Sequence, residues 1–306
     1  MINLPGRFVE NIRTMYGESG EEWLESLPDS ITFYEQRWSI RVAEPLEDLS
    51  YNYIAPAVRD GGEQVVLKLG YPNQELISEI DALLLYEGQG AVRLLDADRE
   101  RGALLLEKLV PGDTLLTIRD DAAATRIAAR MMRDLWKPAP NGHDFPTVNR
   151  WAKGLERLRV HYGGGTGPLP EILVAKAERL FPELLSTMEA PVLLHGDLHH
   201  ENILRASRQP WLAIDPKGVI GEPAYETGAL LRNMKADLLV GPDPVQIVAR
   251  RVQILCDELG FNRQRVLEWG LAQAVLSAWW SIEDHGDFWH LAIRCAELIN
   301  EVIEEG

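Results

Sequence analysis

The amino-acid sequence predicts an α+β chain of two lobes: a small antiparallel-sheet N-lobe with one key helix, then a larger, mainly helical C-lobe. Between residues 39 and 108, short β-rich runs flank a single helical stretch and are separated by turn residues. Beyond Pro111-Gly112, apolar residues recur at helical spacing over long stretches. The 306 residues are 46% hydrophobic, which is enough for a packed core and more length than one ordinary domain needs.

The first forty residues read as short helices. Phe8, Ile12 and Met15 share one face, and Trp23, Leu24 and Leu27 another. Residues 39–43 and 50–58 then read as strands. Arg59-Asp60-Gly61-Gly62-Glu63 is a hairpin-type turn leading into the β-rich run 65–69. Asn73 can cap a helix that carries Glu75 in its first turn and Leu76, Ile77, Ile80, Leu83 and Leu84 on its buried face. Gly88 and Gly90 end it, and residues 91–95 and 103–106 form another antiparallel pair across Asp98-Arg101. The expected division is an N-terminal nucleotide-binding lobe, 1–108, with a helical extension over 1–38, and a catalytic and substrate-binding lobe, 109–306.

Residues 120–136, 147–162 and 170–188 show helical periodicity. Gly163-Gly164-Gly165-Thr166-Gly167 lies between the second and third. No Gly-Lys-Ser/Thr follows it and no strand precedes it, so it reads as a flexible loop rather than a phosphate-binding one. Short β-like runs follow at 192–194, 203–205 and 211–214, and helices resume near 224.

A net charge of −16 argues against nucleic-acid or anionic-membrane partners, which need a basic footprint. The acidity is uneven: residues 1–110 hold 10 basic and 20 acidic side chains, and residues 282–306 hold one and seven. Cys256 and Cys295 are too few for a disulfide framework and lack metal-ligand spacing. There is no signal-peptide core at the N-terminus and no apolar run long enough for a membrane span. The expectation is a soluble cytoplasmic protein.

The strongest chemical signal is Leu193-Leu194-His195-Gly196-Asp197-Leu198-His199-His200-Glu201-Asn202-Ile203-Leu204. An apolar strand enters, a polar loop follows and an apolar strand leaves. Farther on, Ala213-Ile214-Asp215-Pro216 delivers a second carboxylate from a strand. This set suits metal-assisted phosphoryl transfer. Asp197 would accept or orient the proton of the attacking hydroxyl, and Asn202 and Asp215 would supply hard oxygen ligands to Mg²⁺ against nucleotide phosphates. Upstream, the apolar run Val65-Val66-Leu67 presents Lys68 just before a helix bearing Glu75 and Glu79. A strand lysine paired to a helix glutamate is the kinase device for holding the α/β-phosphates. Glu79, among Ile77, Ile80 and Leu83, is the expected partner, because Glu75 already has a dipole reason to sit in the first turn.

These residues resemble the aminoglycoside phosphotransferase family of small-molecule kinases, which have a two-lobed protein-kinase-like fold. The similarity rests on Val65-Val66-Leu67-Lys68, Glu79-Ile80-Asp81-Ala82-Leu83, the loop from His195 to Asn202, and Ile214-Asp215-Pro216-Lys217-Gly218, spread over roughly residues 50–235. Ala55-Pro56-Ala57-Val58 and the continuation Val219-Ile220-Gly221-Glu222-Pro223 resemble the streptomycin 6-phosphotransferase and hydroxyurea phosphotransferase branch. The resemblance implies catalysis at Asp197, Mg²⁺ at Asn202 and Asp215, phosphates near Lys68, and adenine against backbone groups of the 107–110 connection, which holds Glu107 and Leu109. It implies ATP or another nucleoside triphosphate as donor, and a small hydroxylated, cationic acceptor of which streptomycin is the leading candidate. Hydroxyurea or another small hydroxylated metabolite is the alternative. The presence of all three of Asp197, Asn202 and Asp215 speaks against a silent nucleotide-binding protein.

The chain departs from the protein-kinase pattern in two places. Leu49-Ser50-Tyr51-Asn52-Tyr53 takes the position of the glycine-rich loop without a glycine, so phosphate contact falls to Ser50 or to backbone N–H groups. Asp215-Pro216-Lys217 stands in place of Asp-Phe-Gly, with no activation segment after it, which favours a small acceptor over a protein. His195 is expected to buttress the loop by hydrogen bonding, and His199 to bond near Asp215. No Gly-x-Ser-x-Gly elbow points to a hydrolase. Glu222 either plays a structural role, such as capping a helix, or reaches the metal and substrate region. Near the C-terminus, Glu283, Asp284, His285 and Asp287 are interleaved with Trp269, Trp279, Trp280 and Trp289. They are either a solvated turn between packed helices or a cleft for a cationic acceptor.

Overall fold

Residues 6–38 form α1 (Gly6–Trp38), a helix kinked at Gly17, whose φ of +57° breaks the helical path. The two helical faces expected here are thus two segments of one element. Their apolar residues, among them Phe8, Ile12, Leu27, Tyr34 and Trp38, are buried. The computed structural model describes residues 4–285 and 289–305.

The strands of the first unit, Met1–Gly112, follow: β1 (Ile40–Val42), β2 (Asn52–Arg59), β3 (Gln64–Gly70), β4 (Leu94–Asp98) and β5 (Ala103–Glu107), with α2 (Gln74–Tyr86) between β3 and β4. They pair antiparallel in the order β1-β2-β3-β5-β4. Alternation along the strands decides what each face does. Tyr53, Ala55 and Ala57 of β2 and Val65, Leu67 and Leu69 of β3 join the α1 residues in one core. Lys68 therefore points to the opposite face. Asn73 caps α2 by accepting from Leu76 N. Ile80 and Leu83 are buried, but Leu84, expected on the same face, is 56% exposed. The β4 strand starts at Leu94, later than the run 91–95 suggests.

β6 (Pro111–Thr114) carries the chain into the second unit, Asp113–Gly306. Its elements are α3 (Asp121–Leu135), β7 (Lys137–Pro138), α4 (Val148–Ala152), α5 (Gly154–His161), α6 (Glu171–Ser186), β8 (Val192–Leu194), β9 (Ile203–Ala206), β10 (Trp211–Ala213) and β11 (Val219–Gly221). They continue with α7 (Thr227–Arg232), α8 (Ala236–Leu239), α9 (Pro244–Leu259), α10 (Arg263–His285) and α11 (Trp289–Glu305). β9 and β10 form a hairpin, and β8 lies between β7 and β11. α10 packs against α5, α6, α7, α9 and α11. Val266, Trp269, Ala272, Val275, Leu276 and Trp279 bury its length, as befits a helix enclosed on most sides. Among the described residues no helix is long and apolar enough to cross a membrane.

Candidate active site

The loop from His195 to Asn202 joins β8 to β9, and its first residues are held by buried groups. Glu226, fully buried ahead of α7, accepts from His195 N at 2.7 Å and from Gly196 N at 2.9 Å. Burial pushes the Glu226 carboxyl up to about 7 against the pull of those two N–H bonds. The ring of His195 is also fully buried, and burial lowers its pKa to about 4. It is neutral at pH 7, so Nε2–H donates to Ile214 O at 2.8 Å and Nδ1 accepts from Asp197 N at 3.2 Å. The expected buttressing role of His195 has this geometric form. Gly196 sits at φ +84°, and a Cβ there would lie 2.9 Å from both Trp151 Cη2 and Val219 Cγ1. Only glycine meets both conditions.

Asp197 projects from this fixed backbone. Its Oδ1 accepts from Arg232 Nη2 at 2.6 Å, and its Oδ2 lies 3.7 Å from His199 Nε2. Burial raises the Asp197 carboxyl, but the charge of Arg232 and the His199 ring outweigh it and hold the group well below the usual carboxylate range. Asn202 Nδ2 donates to the Asp197 carbonyl at 2.9 Å, so the amide oxygen turns the other way. Asn202 O in turn accepts from Ile214 N at 3.0 Å. Ile214 is thereby bonded to both His195 and Asn202, and Asp215 follows it in a left-handed conformation at φ +57°. That conformation costs a non-glycine residue energy and is typical of functional positions. Asp197, Asn202 and Asp215 are therefore tied together by one backbone network.

In the first unit, Lys68 Nζ donates to both carboxylate oxygens of Glu79, at 2.7 and 2.8 Å. Both residues are buried. This is the Glu79 pairing that the sequence predicts. Glu107 Oε1 accepts from the N–H of Arg93, the residue before β4, at 2.8 Å. Leu109 is half-buried, and Ser50 is exposed with its carbonyl accepting from Asn11 Nδ2 at 2.9 Å.

The four acidic residues considered for substrate divide. Glu222 is buried beside α10, bonded by Arg265 Nη2 at 2.6 Å and Trp269 Nε1 at 3.1 Å, which commits it to packing. Glu283 pairs with Arg157 at 2.6 and 2.7 Å in a cleft of about 490 Å³ lined also by Trp279 and His161. Asp284 is exposed and falls on the α10 face of Gln273, Ser277 and Trp280 by spacing. Asp287 lies outside the described residues. Trp151, half-exposed, stands next to Gly196 and makes an edge contact at 5.3 Å with the half-exposed Trp280. Sequence reasoning did not single out Glu226, Arg232 or Trp151. The available signal was Glu226 and Arg232 closing the uncharged stretch Thr227-Gly228-Ala229-Leu230-Leu231, where buried charge needs a partner.

Comparison with known proteins gives the following. The family model for the aminoglycoside/hydroxyurea antibiotic resistance kinases matches residues 38–285. The chain is 30% identical over 295 residues to streptomycin 6-kinase of Streptomyces glaucescens, covering 93% of this chain and 92% of that one. It is 32% identical over 297 residues to hydroxyurea phosphotransferase of Kitasatospora aureofaciens, covering 93% and 82%. Among solved structures it superposes on choline kinase LicA from Streptococcus pneumoniae with a TM-score of 0.65 at 13% identity, over 92% of this chain and 99% of that one. The same enzyme in complex with AMP gives a TM-score of 0.61, also at 13% identity, over 91% and 98%.

Proposed function

The chain belongs to the family of aminoglycoside/hydroxyurea antibiotic resistance kinases, and from that premise we propose that it transfers the γ-phosphoryl group of ATP to the 6-hydroxyl of streptomycin with Mg²⁺. The observation that carries this reading is the Asp197 carboxylate on a clamped loop, with Asn202 bonded to its backbone. Asp197 orients the acceptor hydroxyl and takes its proton as the new O–P bond forms. The bond from the γ-phosphorus to the β–γ bridging oxygen breaks, and ADP leaves with that electron pair. Positioning dominates such a reaction, because the transition state is loose and asks little covalent chemistry of the protein.

The residues present fit a magnesium ion. The oxygen of Asn202 is turned away from the loop backbone by the Nδ2 bond, and Asp215, which follows the Ile214 bonded to the Asn202 carbonyl, would add a carboxylate. These are hard oxygen donors. No group of three or more His, Cys, Asp or Glu residues that could hold a metal occurs among the described residues. Magnesium suits such a sparse protein set, since phosphates and water complete its shell. When bound, the ion neutralises charge on the phosphates. In the first unit, Glu79 fixes the Lys68 ammonium for the α/β-phosphates, Ser50 offers its hydroxyl, and the 107–110 backbone and Leu109 receive adenine.

Asp284 and the Trp280 face supply the contacts for a cationic aminocyclitol. Glu222 and Glu283 already hold arginines. Hydroxyurea is the second reading, favoured by the 32% identity to a hydroxyurea phosphotransferase. Incubation with ATP, Mg²⁺ and each acceptor separately, read by acceptor mass, tests both. Streptomycin should gain one phosphoryl group. A gain by hydroxyurea alone would replace the first reading with the second, and no gain by either would overturn both.

A further inference from the structure

Asp197 has two carboxylate oxygens and needs one of them for the acceptor. Arg232, the last residue of α7, takes the other. Its side chain is only 10% exposed, and Nη2 meets Oδ1 at 2.6 Å. The rest of the guanidinium is anchored on α10: Nε donates to Gln273 Oε1 at 3.3 Å and Nη1 to Ser277 Oγ at 3.1 Å. The carbonyl of Arg232 also accepts from the Cys295 thiol of α11 at 3.3 Å. A planar fork held at three points has little freedom to swing. Oδ2, at 3.7 Å from His199, is beyond hydrogen-bond reach of that ring.

We propose that Arg232 is a positioning residue, which fixes the Asp197 carboxylate so that Oδ2 alone addresses the acceptor hydroxyl, with Gln273 and Ser277 of α10 setting the fork. The inference rests on the reading of Asp197 as the catalytic carboxylate. Because Trp280 and Asp284 continue the α10 face of Gln273 and Ser277, the helix that positions the arginine is also the one proposed to meet the acceptor. A charge pair serving only the fold would matter for stability and leave turnover per folded molecule unchanged. A positioning pair matters for kcat, since misplacement of a reacting group by about 1 Å costs on the order of 100-fold.

The test compares wild type with Arg232→Ala, Arg232→Lys and Ser277→Ala by kcat, KM for ATP and thermal midpoint, with and without millimolar guanidinium. Wild-type ADP formation is measured first with streptomycin, hydroxyurea and water as acceptors. No ADP from any of them overturns the proposed function and this inference with it. With an active wild type, Arg232→Ala is expected to lose about 100-fold in kcat with KM for ATP nearly unchanged. Guanidinium should restore part of that loss, and Arg232→Lys should be intermediate, because one ammonium cannot bridge Asp197 and both α10 acceptors. A folded Arg232→Ala with wild-type kcat, or a loss that guanidinium leaves untouched, overturns the inference alone. Should Arg232→Ala fail to fold, Arg232→Lys and Ser277→Ala decide. A kcat reduced in both at constant KM for ATP supports positioning, and wild-type kcat in either refutes it.

Discussion

Glu226→Gln is the substitution whose consequences follow most fully from the geometry. The carboxylate is fully buried and accepts from two backbone N–H groups of the loop that carries Asp197. Glutamine keeps one acceptor oxygen and turns an NH₂ toward the other N–H. That leaves a buried donor unpaired, at a cost of about 1–3 kcal/mol. The pH dependence is a sharper signature. Burial raises the Glu226 pKa from 4.5 to about 7 in the folded protein, with Asp197 adding to the rise. The folded state therefore holds this proton more tightly than the unfolded chain. The resulting stability is fully present below 4.5 and is lost as pH rises through about 7. Between about pH 5 and about pH 8 this amounts to about 2–3 kcal/mol. Buried His195 and His200, lowered to about 4 and about 3, give the opposite slope in acid, but both proteins carry them. The assay is urea unfolding of wild type and variant across this range, followed by tryptophan fluorescence. The advantage of wild type should shrink as pH rises. A gap that stays constant, or widens toward high pH, would refute the reasoning.

Three further outcomes are expected. Lys68→Met takes the ammonium from the buried Glu79 carboxylate and should cost about 3–5 kcal/mol in unfolding free energy. Adding Glu79→Met should recover most of that stability and none of the turnover, read by urea unfolding and ADP release. Gly196→Ala forces a Cβ to 2.9 Å from Trp151 and Val219 at positive φ, and should cost about 1–3 kcal/mol together with most of kcat. Asp284→Asn should raise KM for streptomycin roughly tenfold, about the worth of one partly desolvated charge contact, and leave ATP hydrolysis with water unchanged in steady-state assays.

The sheet of the first unit was legible because short β-rich runs are separated by turn residues, Arg59 to Glu63 and Asp98 to Arg101. The loop from His195 to Asn202 was legible because Asp197 and Asn202 are close in sequence and Asp215 follows just after β10. Contacts between distant residues left no such trace. Glu226 lies 30 residues beyond Gly196 and Arg232 lies 35 beyond Asp197. Nothing local says that their charges turn back into the loop. Glu222 shows the converse. The sequence left it between a structural role and the site, and Arg265 and Trp269, more than 40 residues away, hold it in the core. Leu84 fits the helical period yet stands in solvent, since periodicity alone does not set how wide the buried stripe of α2 is. The net charge of −16 is sharpened by the same contacts. Glu79, Glu222 and Glu283 each face a lysine or arginine, so these three carboxylates are already paired and not open to a cationic acceptor.

The central claim is that the Asp197 carboxylate governs phosphoryl transfer to a small hydroxylated acceptor. Mass measurement of streptomycin after incubation with ATP, Mg²⁺ and either wild type or Asp197→Asn tests it most directly. Wild type should give a phosphorylated product. The variant should be slower by about 100- to 10,000-fold, while thermal stabilisation by ATP and Mg²⁺ is retained. A folded, nucleotide-binding Asp197→Asn that phosphorylates streptomycin at the wild-type rate would contradict it.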